Sequence, residues 1–134
     1  MKIRIEPMNE NNETFKEMNV KQIQIEYFMK YLPYKEIGWY WYENLGLTAE
    51  QDDLILFQMN NTIIASAKYD MKLEKSKAFK VKTNTIKIFK PITKDELCNI
   101  IPKFTNFSMV RWSYDKSDVD MEVLEQRMSV PIDN

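Results

Sequence analysis

The sequence contains no histidine, only two glycines and a single cysteine. The absence of histidine excludes Ser-His and Cys-His nucleophile pairs and every histidine-ligated metal site. Gly38 and Gly46 are too few for a glycine-rich phosphate-binding loop. Cys98 alone cannot form an intramolecular disulfide or a thiolate zinc site. We therefore expect a protein without catalytic residues, metal or cofactor, working in the reducing cytoplasm.

Long apolar runs are also absent. No stretch approaches the roughly 18–20 residues that span a bilayer, and the N-terminus lacks the apolar segment of a signal peptide. The chain has 134 residues, of which 44% are hydrophobic and 13% aromatic, which is too apolar for disorder and long enough to bury a core. We expect a single domain, residues 1–134, which could also be the N-terminal domain of a longer protein.

Charge is distributed unevenly although the net charge is only −1. Residues 68–94 hold nine lysines against two acids, a net charge of +7, so the rest of the chain carries −8. A cationic strip on a nearly neutral protein can attract a polyanion locally. The alternative is a set of edge strands that lysines protect from aggregation.

The first part of the chain reads as strand, helix and strand. Residues 1–6 alternate apolar and polar side chains, which is typical of a strand. Asn19 can cap a helix over residues 20–32, ended by Pro33, although apolar residues also alternate there, as in a strand. The aromatic residues 36–42 predict a second strand.

The clearest local pattern is a β-hairpin. Two apolar runs, residues 54–59 and 62–67, flank Asn60-Asn61, a pair that tolerates positive φ. Because both runs are almost continuously apolar, we expect them to be central in a sheet. The lysine-rich residues 70–78 that follow predict a flexible excursion.

The rest of the chain predicts short alternating elements. Strands are expected at residues 79–83, 85–89 and 108–114, a helix after the capping box Thr93–Glu96, and a last helix capped by Ser117. Strands and helices without a βαβ alternation indicate an α+β fold. We expect a small curved, mainly antiparallel β-barrel with about three flanking helices.

Four consecutive aromatic residues stand in the second predicted strand. In a strand, Trp39 and Trp41 face one side while Tyr40 and Tyr42 face the other. One pair is expected in the core, and the other against solvent, a helix or a ligand. An exposed aromatic pair beside basic strands is the combination that nucleic-acid binding uses; the alternative is that all four fill the core.

Several segments together resemble a known superfamily. Residues 53–58 (DLILFQ) with 63–67 (IIASA) resemble the hairpin of PUA-like domains, especially the EVE branch. Residues 85–93 (TIKIFKPIT), a short helix and Phe107-Ser108 follow in the same order as in those domains. The resemblance covers about residues 36–115 and extends to the ASCH, YTH and SRA domains.

The resemblance implies a curved pseudobarrel that reads a modified or flipped-out DNA base in an aromatic pocket. Prokaryotic relatives are often fused to proteins of modification-dependent restriction systems. The residues expected to line the base-binding pocket are Trp39, Trp41, Trp112, Ser66 and Asp115. The residues expected to contact phosphates are Lys68, Lys72, Lys75, Lys77, Lys80, Lys82 and Arg111.

Two other functions fit the same residues. A protein-interaction module, such as a phage or mobile-element adaptor or inhibitor, could use the basic strip to bind an acidic partner, because tryptophan and tyrosine also dominate protein interfaces. Some ASCH relatives are hydrolases that use lysine and carboxylate groups, but the sequence does not identify such a group of catalytic residues in this chain. Arginine is scarce, with only three residues, which argues against sequence-specific reading of the major groove.

Overall fold

The computed structural model describes residues 1–41, 49–72 and 77–133. Within these ranges there are seven strands: Lys2–Pro7 (β1), Trp39–Trp41 (β2), Leu54–Met59 (β3), Thr62–Lys72 (β4), Ala78–Val81 (β5), Lys87–Ile92 (β6) and Trp112–Asp115 (β7). Two single turns of 3-10 helix, Thr83–Thr85 and Lys116–Asp118, precede β6 and follow β7.

The described ranges also contain three helices. The first, α1, begins as a regular α-helix, Val20–Gln22, and continues as a wider π-helix, Ile23–Lys35; α2 is Lys94–Ile100 and α3 is Met121–Arg127. Each begins at a side chain that accepts a hydrogen bond from a backbone N–H of the first turn: Asn19, Thr93 and Asp120 respectively. Among the described residues, no helix combines the length and apolarity needed to cross a membrane.

The strands form one curved sheet in the order β2-β5-β4-β3-β1-β7, with β6 paired to β4. Only β1 and β3 pair in parallel among the described strands. The eleven-residue β4 pairs with β6 through its first half and with β5 through its second half, so it belongs to both parts of the sheet. The predicted α+β class with a mainly antiparallel curved sheet is confirmed, although the sheet is open rather than closed into a barrel.

Each side of the sheet has its own hydrophobic core. One core packs against α1 and includes Tyr27, Phe28, Tyr40, Phe57, Tyr69, Phe79 and Val81. The other packs against α2 and α3 and includes Ile3, Ile5, Leu54, Leu56, Phe89, Leu97 and Leu124. Because side chains alternate along a strand, the neighbours Leu56 and Phe57 contribute to opposite cores. This explains why β3 is apolar throughout.

The predicted hairpin is confirmed, and it is longer than expected. Asn60 and Asn61 have φ values of 53° and 57°, which form the tight turn between β3 and β4. The predicted flexible excursion is wrong at both of its ends, since β4 continues to Lys72, which pairs with Phe79 of β5. Burial of Tyr69 and Phe79 in the α1-side core accounts for this extension. Residues 73–76 lie outside the described ranges.

The helix prediction is confirmed at its start but wrong at its end. Asn19 and Gln22 exchange the two hydrogen bonds of a capping box, 2.8 and 2.9 Å long. Pro33 does not end α1, because it removes only one backbone donor and the Glu36 N–H still bonds to the Tyr31 carbonyl, 3.0 Å away, to close the last turn. The prediction of a strand from residue 36 is therefore wrong for its first three residues.

Gly38 is required at the junction between α1 and β2. Its φ is +88°, and a Cβ built there would lie 2.5 Å from the Val81 carbonyl oxygen. The same close approach allows the Val81 N–H to bond to the Gly38 carbonyl at 2.9 Å. The glycine thereby lets β2 turn directly onto β5.

Element boundaries near the C-terminus also differ from the prediction. Ser117 lies in a 3-10 turn, and Asp120 caps α3 instead because its carboxylate accepts the Val123 N–H at 3.2 Å. β6 is shifted toward the C-terminus and includes Pro91, which is tolerated in a strand that pairs on one side with β4. β7 is shorter than expected, since its ladder with β1 begins at Trp112.

Candidate nucleic-acid interface

The lysines of β4 and β5 point away from the core that packs on α1. Ala67 and Tyr69 of β4 are buried in that core, so Lys68 between them faces the opposite side. Phe79 and Val81 of β5 are buried in the same core, which turns Lys80 outward by the same alternation. Lys82, just beyond β5, continues this outward series.

Backbone pairing brings these lysines close together. The Lys82 N–H donates to the Lys68 carbonyl at 2.9 Å. The Lys82 ammonium is engaged by Asp52 at 2.6 Å, and this hydrogen bond lowers the pKa of Asp52, with a further contribution from the charge of Lys68. In the part of the chain that the structure describes, neither Lys68 nor Lys80 forms an ion pair, so both remain able to bind an anion.

The aromatic strand β2 lies beside these lysines. Trp39 is directly opposite Lys80 on β5, and Tyr40 is opposite Phe79. The Tyr40 ring is buried, with its centroid 5.2 Å from that of Phe79. Trp39 is half-buried and Trp41 is 58% exposed on the outward side. The sequence-based division of the two tryptophans from Tyr40 is therefore observed, while Tyr42 lies outside the described residues.

Trp41 is held at one edge. Its indole Nε1–H donates to the Glu36 carboxylate at 3.0 Å. Glu36 also accepts a hydrogen bond from Tyr31, and this raises the pKa of Tyr31. A fixed edge with an exposed ring suits stacking, because little rotational freedom is lost when a planar ligand binds. We call the surface formed by Trp39, Trp41, Lys68, Lys80 and Lys82 the lysine–tryptophan face.

The structure places Trp112 and Asp115 elsewhere. Both are on β7, at the opposite end of the strand order from β2. Trp112 is 49% exposed, and its indole N–H donates to Ser108 Oγ at 3.3 Å. Trp112 and Asp115 line an open cleft of about 360 Å³ together with Lys2 and Lys103. Trp39, Trp41 and Ser66 are not among the residues that line this cleft, so it does not unite the five predicted pocket residues.

Arg111 is engaged inside the protein. Its guanidinium donates two hydrogen bonds to the Glu6 carboxylate, at 2.5 and 2.8 Å. Glu6 is only 1% exposed; burial raises the pKa of its carboxyl, and the contact with Arg111 opposes that rise. Burial, followed by the nearby Glu6 charge, also raises the pKa of Tyr40 well above its usual value. Sequence reasoning missed this pair, since 105 residues separate its members.

The remaining predicted phosphate contacts are dispersed. Lys72 is half-buried at the end of β4, opposite Phe79, and Lys77 is exposed immediately before β5. Lys75 lies outside the described residues. Of the predicted phosphate contacts that the structure describes, only Lys68, Lys80 and Lys82 lie on the lysine–tryptophan face.

Ser66 lies in a third place. It faces the core beneath α2 and α3, since it pairs with Leu56 of that core and lies between Ala65 and Ala67 of the other. It is 1% exposed, and its Oγ has no hydrogen-bond partner among the described residues. It lines an open groove of about 630 Å³ beside α3, with Lys68 at the shared border with the lysine–tryptophan face.

The groove also contains charged residues that sequence reasoning did not select. Lys87 is directly opposite Ser66 on β6, and Lys116 and Glu125 approach from the 3-10 turn after β7 and from α3. Alternation along β6 could have identified Lys87. Lys116 and Glu125 could not be found from local pattern, because α3 is brought there by the fold. No group of three or more acidic or cysteine side chains suited to a metal ion occurs among the described residues.

Comparisons with known proteins identify the fold. No protein-family model matches the sequence, and the curated proteins include none that matches significantly. Among solved structures, the chain is similar to the crystal structure of ASCH from Zymomonas mobilis. The TM-score is 0.56 with 12% sequence identity, over 96% of this chain and 97% of the other. At this identity the similarity shows a shared ASCH-like, PUA-like fold.

Proposed function

We propose that the chain is a non-catalytic nucleic-acid-binding module that acts through the lysine–tryptophan face. The observation that carries the proposal is the pairing of Trp39 with Lys80, beside the exposed ring of Trp41. Tryptophan offers a stacking surface for a base, while lysine neutralises the phosphates on either side. The PUA-like fold is consistent with this function.

The preferred ligand is DNA with an accessible base face. A base can stack on Trp41 only when it is unstacked from its neighbours, as in a single strand or when it is extruded from a duplex. The lysines contact phosphates and carry no sequence information. With Arg111 engaged by Glu6, no arginine lies on the lysine–tryptophan face to read base edges. We expect binding that depends on base accessibility and salt.

A preference for a modified base is the more specific part of the proposal. Trp39 is half-buried beside the exposed Trp41, so a base stacked on Trp41 would bring a substituent near a second indole. An added methyl group gains apolar contact there. Such a reader would serve a restriction or defence system, as the resemblance to EVE-type domains implies.

The experiment is a fluorescence-polarisation titration with short labelled DNAs at two salt concentrations. The panel contains single strands, duplexes, and duplexes carrying one methylated or hydroxymethylated base or one mismatch. The proposal predicts that single strands bind more tightly than intact duplexes, and that a modified base strengthens binding. Absence of binding at low salt would contradict the nucleic-acid function, and equal binding of all DNAs would contradict base reading.

One observation favours a protein partner as the second candidate. Large apolar side chains are exposed near β2 and the end of α1: Tyr34, Ile37, Trp41 and Met71. Exposed aromatic residues beside lysines are typical of interfaces with acidic proteins. This function would be favoured if no DNA in the panel binds and an acidic protein binds saturably. Trp41→Ala should then weaken the binding of that protein.

A further inference from the structure

The groove that contains Ser66 lies outside the lysine–tryptophan face, apart from the shared Lys68. Its floor is formed by β3 and β4, and its walls by the N-terminus of the chain, the turn before β6, and α3. Its volume of about 630 Å³ lies within the range of small-molecule sites. Its lining includes Leu54, Ser66, Lys68, Lys87, Lys116 and Glu125.

Ser66 is the feature that indicates a ligand. A buried hydroxyl without a hydrogen-bond partner is rare because desolvation is costly. Its 1% exposure and the absence of a partner for Oγ among the described residues make Ser66 such a case. Ser66 is one of the residues that line the groove, so a ligand bound there can supply the missing partner. Serine donates readily to a phosphate oxygen.

Positive charge surrounds this hydroxyl. Lys87 pairs directly with Ser66 across β4 and β6, and Lys68 is two residues along β4 on the same side. Lys116, from the 3-10 turn after β7, also lines the groove. Within the described ranges, none of these three lysines forms an ion pair, although the charge of Lys68 lowers the pKa of Asp52. The centre of the groove is therefore suited to a phosphate.

The remainder of the groove is mixed in character. Leu54, Met121 and Met128 provide apolar surface, and methionine adapts well to planar groups. Asn84 and Glu125 provide polar groups that can bond to sugar hydroxyls or exocyclic amines. A positively charged, anion-binding centre beside an apolar surface and a carboxylate matches a phosphorylated nucleoside better than inorganic phosphate alone.

We propose that the Ser66 groove binds a nucleoside monophosphate. Ser66, Lys68 and Lys87 hold the phosphate, and the base lies against Met121 and Met128. The nucleotide is either a free mononucleotide or the phosphorylated end of a strand. The proposal does not rest on the function of the lysine–tryptophan face, because Trp39 and Trp41 do not line this groove.

Calorimetric titration with AMP, inorganic phosphate and adenosine tests the proposal. AMP is expected to bind more tightly than phosphate, and adenosine least tightly. Ser66→Ala and Lys87→Gln are each expected to weaken AMP binding about tenfold, as expected when one hydrogen bond to a charged group is lost. Lys94→Gln, an exposed lysine at the start of α2, is the control and should leave AMP affinity unchanged.

Thermal melting separates binding from folding. Because Ser66→Ala removes an unpartnered buried hydroxyl, the free variant should melt at the same or a higher temperature than the wild type. An oligonucleotide with a 5′-phosphate, compared with the same strand without it, distinguishes the two sources. If the phosphate strengthens binding and Ser66→Ala abolishes that gain, the ligand is a strand end. If AMP binds but the 5′-phosphate gives no gain, the ligand is a free nucleotide. Trp41→Ala should leave AMP binding intact. No saturable AMP binding, or equal affinity of the wild type, Ser66→Ala and Lys87→Gln, would overturn the proposal.

Discussion

Trp39 lies directly opposite Lys80 on the antiparallel strands β2 and β5, and both side chains point away from the core. Core packing fixes this orientation, because Tyr40 and Phe79, the next pair along the two strands, are buried against each other. A base-stacking group and a phosphate-binding group are thereby fixed side by side by the packing of the core.

Replacement of Trp41 should weaken single-stranded DNA binding more than replacement of Trp112. Loss of one base stack costs about 1–3 kcal/mol of binding free energy, so Trp41→Ala should reduce affinity by roughly 5- to 150-fold. Trp112→Ala is the matched control, because its ring is similarly exposed but lies on β7. Fluorescence polarisation measures both, and an equal loss for the two variants would argue against the lysine–tryptophan face.

Removal of one positive charge from this face should change the salt dependence of binding. Lys80→Gln should reduce the slope of log affinity against log salt by about 0.7–0.9, the value for one phosphate contact. Lys30→Gln provides the comparison, since Lys30 is exposed on α1 and pairs with Glu26 instead. The account is wrong on this point if both variants retain the wild-type slope.

Loss of the Arg111 guanidinium should destabilise the fold. Arg111→Met leaves Glu6 buried without its partner, which costs about 3 kcal/mol in the free energy of unfolding. Glu6 can escape this penalty by binding a proton, and burial already raises its pKa. The loss measured by urea denaturation should therefore be larger at neutral pH than in mild acid.

The double variant Glu6→Met with Arg111→Met tests the role of this pair separately. A buried ion pair can often be replaced by apolar side chains at little cost, so the double variant should recover most of the lost stability. Its DNA affinity should equal that of the wild type, because Arg111 faces Glu6 in the folded protein. A fold that is restored but binds DNA weakly would instead assign Arg111 to phosphate binding.

Glu96 should titrate at unusually low pH. Hydrogen bonding from Arg127, supported by Thr93, lowers the pKa of Glu96 to about 2 from a usual 4.5. Because the folded-state pKa is the lower one, the stabilisation is complete above the unfolded-state pKa and is lost as the pH falls toward 2. NMR titration of the Glu96 carboxyl should show this low pKa in the wild type and a clearly higher pKa in Arg127→Gln, which keeps only the hydrogen bonds from Thr93. An unchanged pKa in the variant would contradict the assignment.

The sequence predicted correctly those turns and helix starts that depend on interactions between residues close together in the chain. The Asn60-Asn61 turn, the helix cap at Asn19 and the capping box at Thr93 depend on residues at most three apart, and all are observed. The end of α1 was not predicted, because α1 accommodates Pro33 by forming wide i→i+5 hydrogen bonds. This bonding pattern could not be anticipated from the sequence. The full length of β4 could not be predicted either, because its second half is stabilised by pairing with β5.

The site was predicted in part for the same reason. Alternation was sufficient to group Trp39 with Trp41 along β2, whereas the pairing that sets Trp39 opposite Lys80 is a long-range feature. Alternation could not show that Trp112 lies in a cleft that Trp39 and Trp41 do not line. The Glu6–Arg111 pair and the approach of Lys116 to Ser66 likewise depend on long-range packing.

The indole N–H signals of the three tryptophans in an NMR spectrum test the central claim most directly. On titration with a short DNA single strand, the account predicts that the signals of Trp39 and Trp41 shift and saturate together, while that of Trp112 remains in place. A shift confined to Trp112, or no shift of any indole at low salt, would contradict binding through the lysine–tryptophan face.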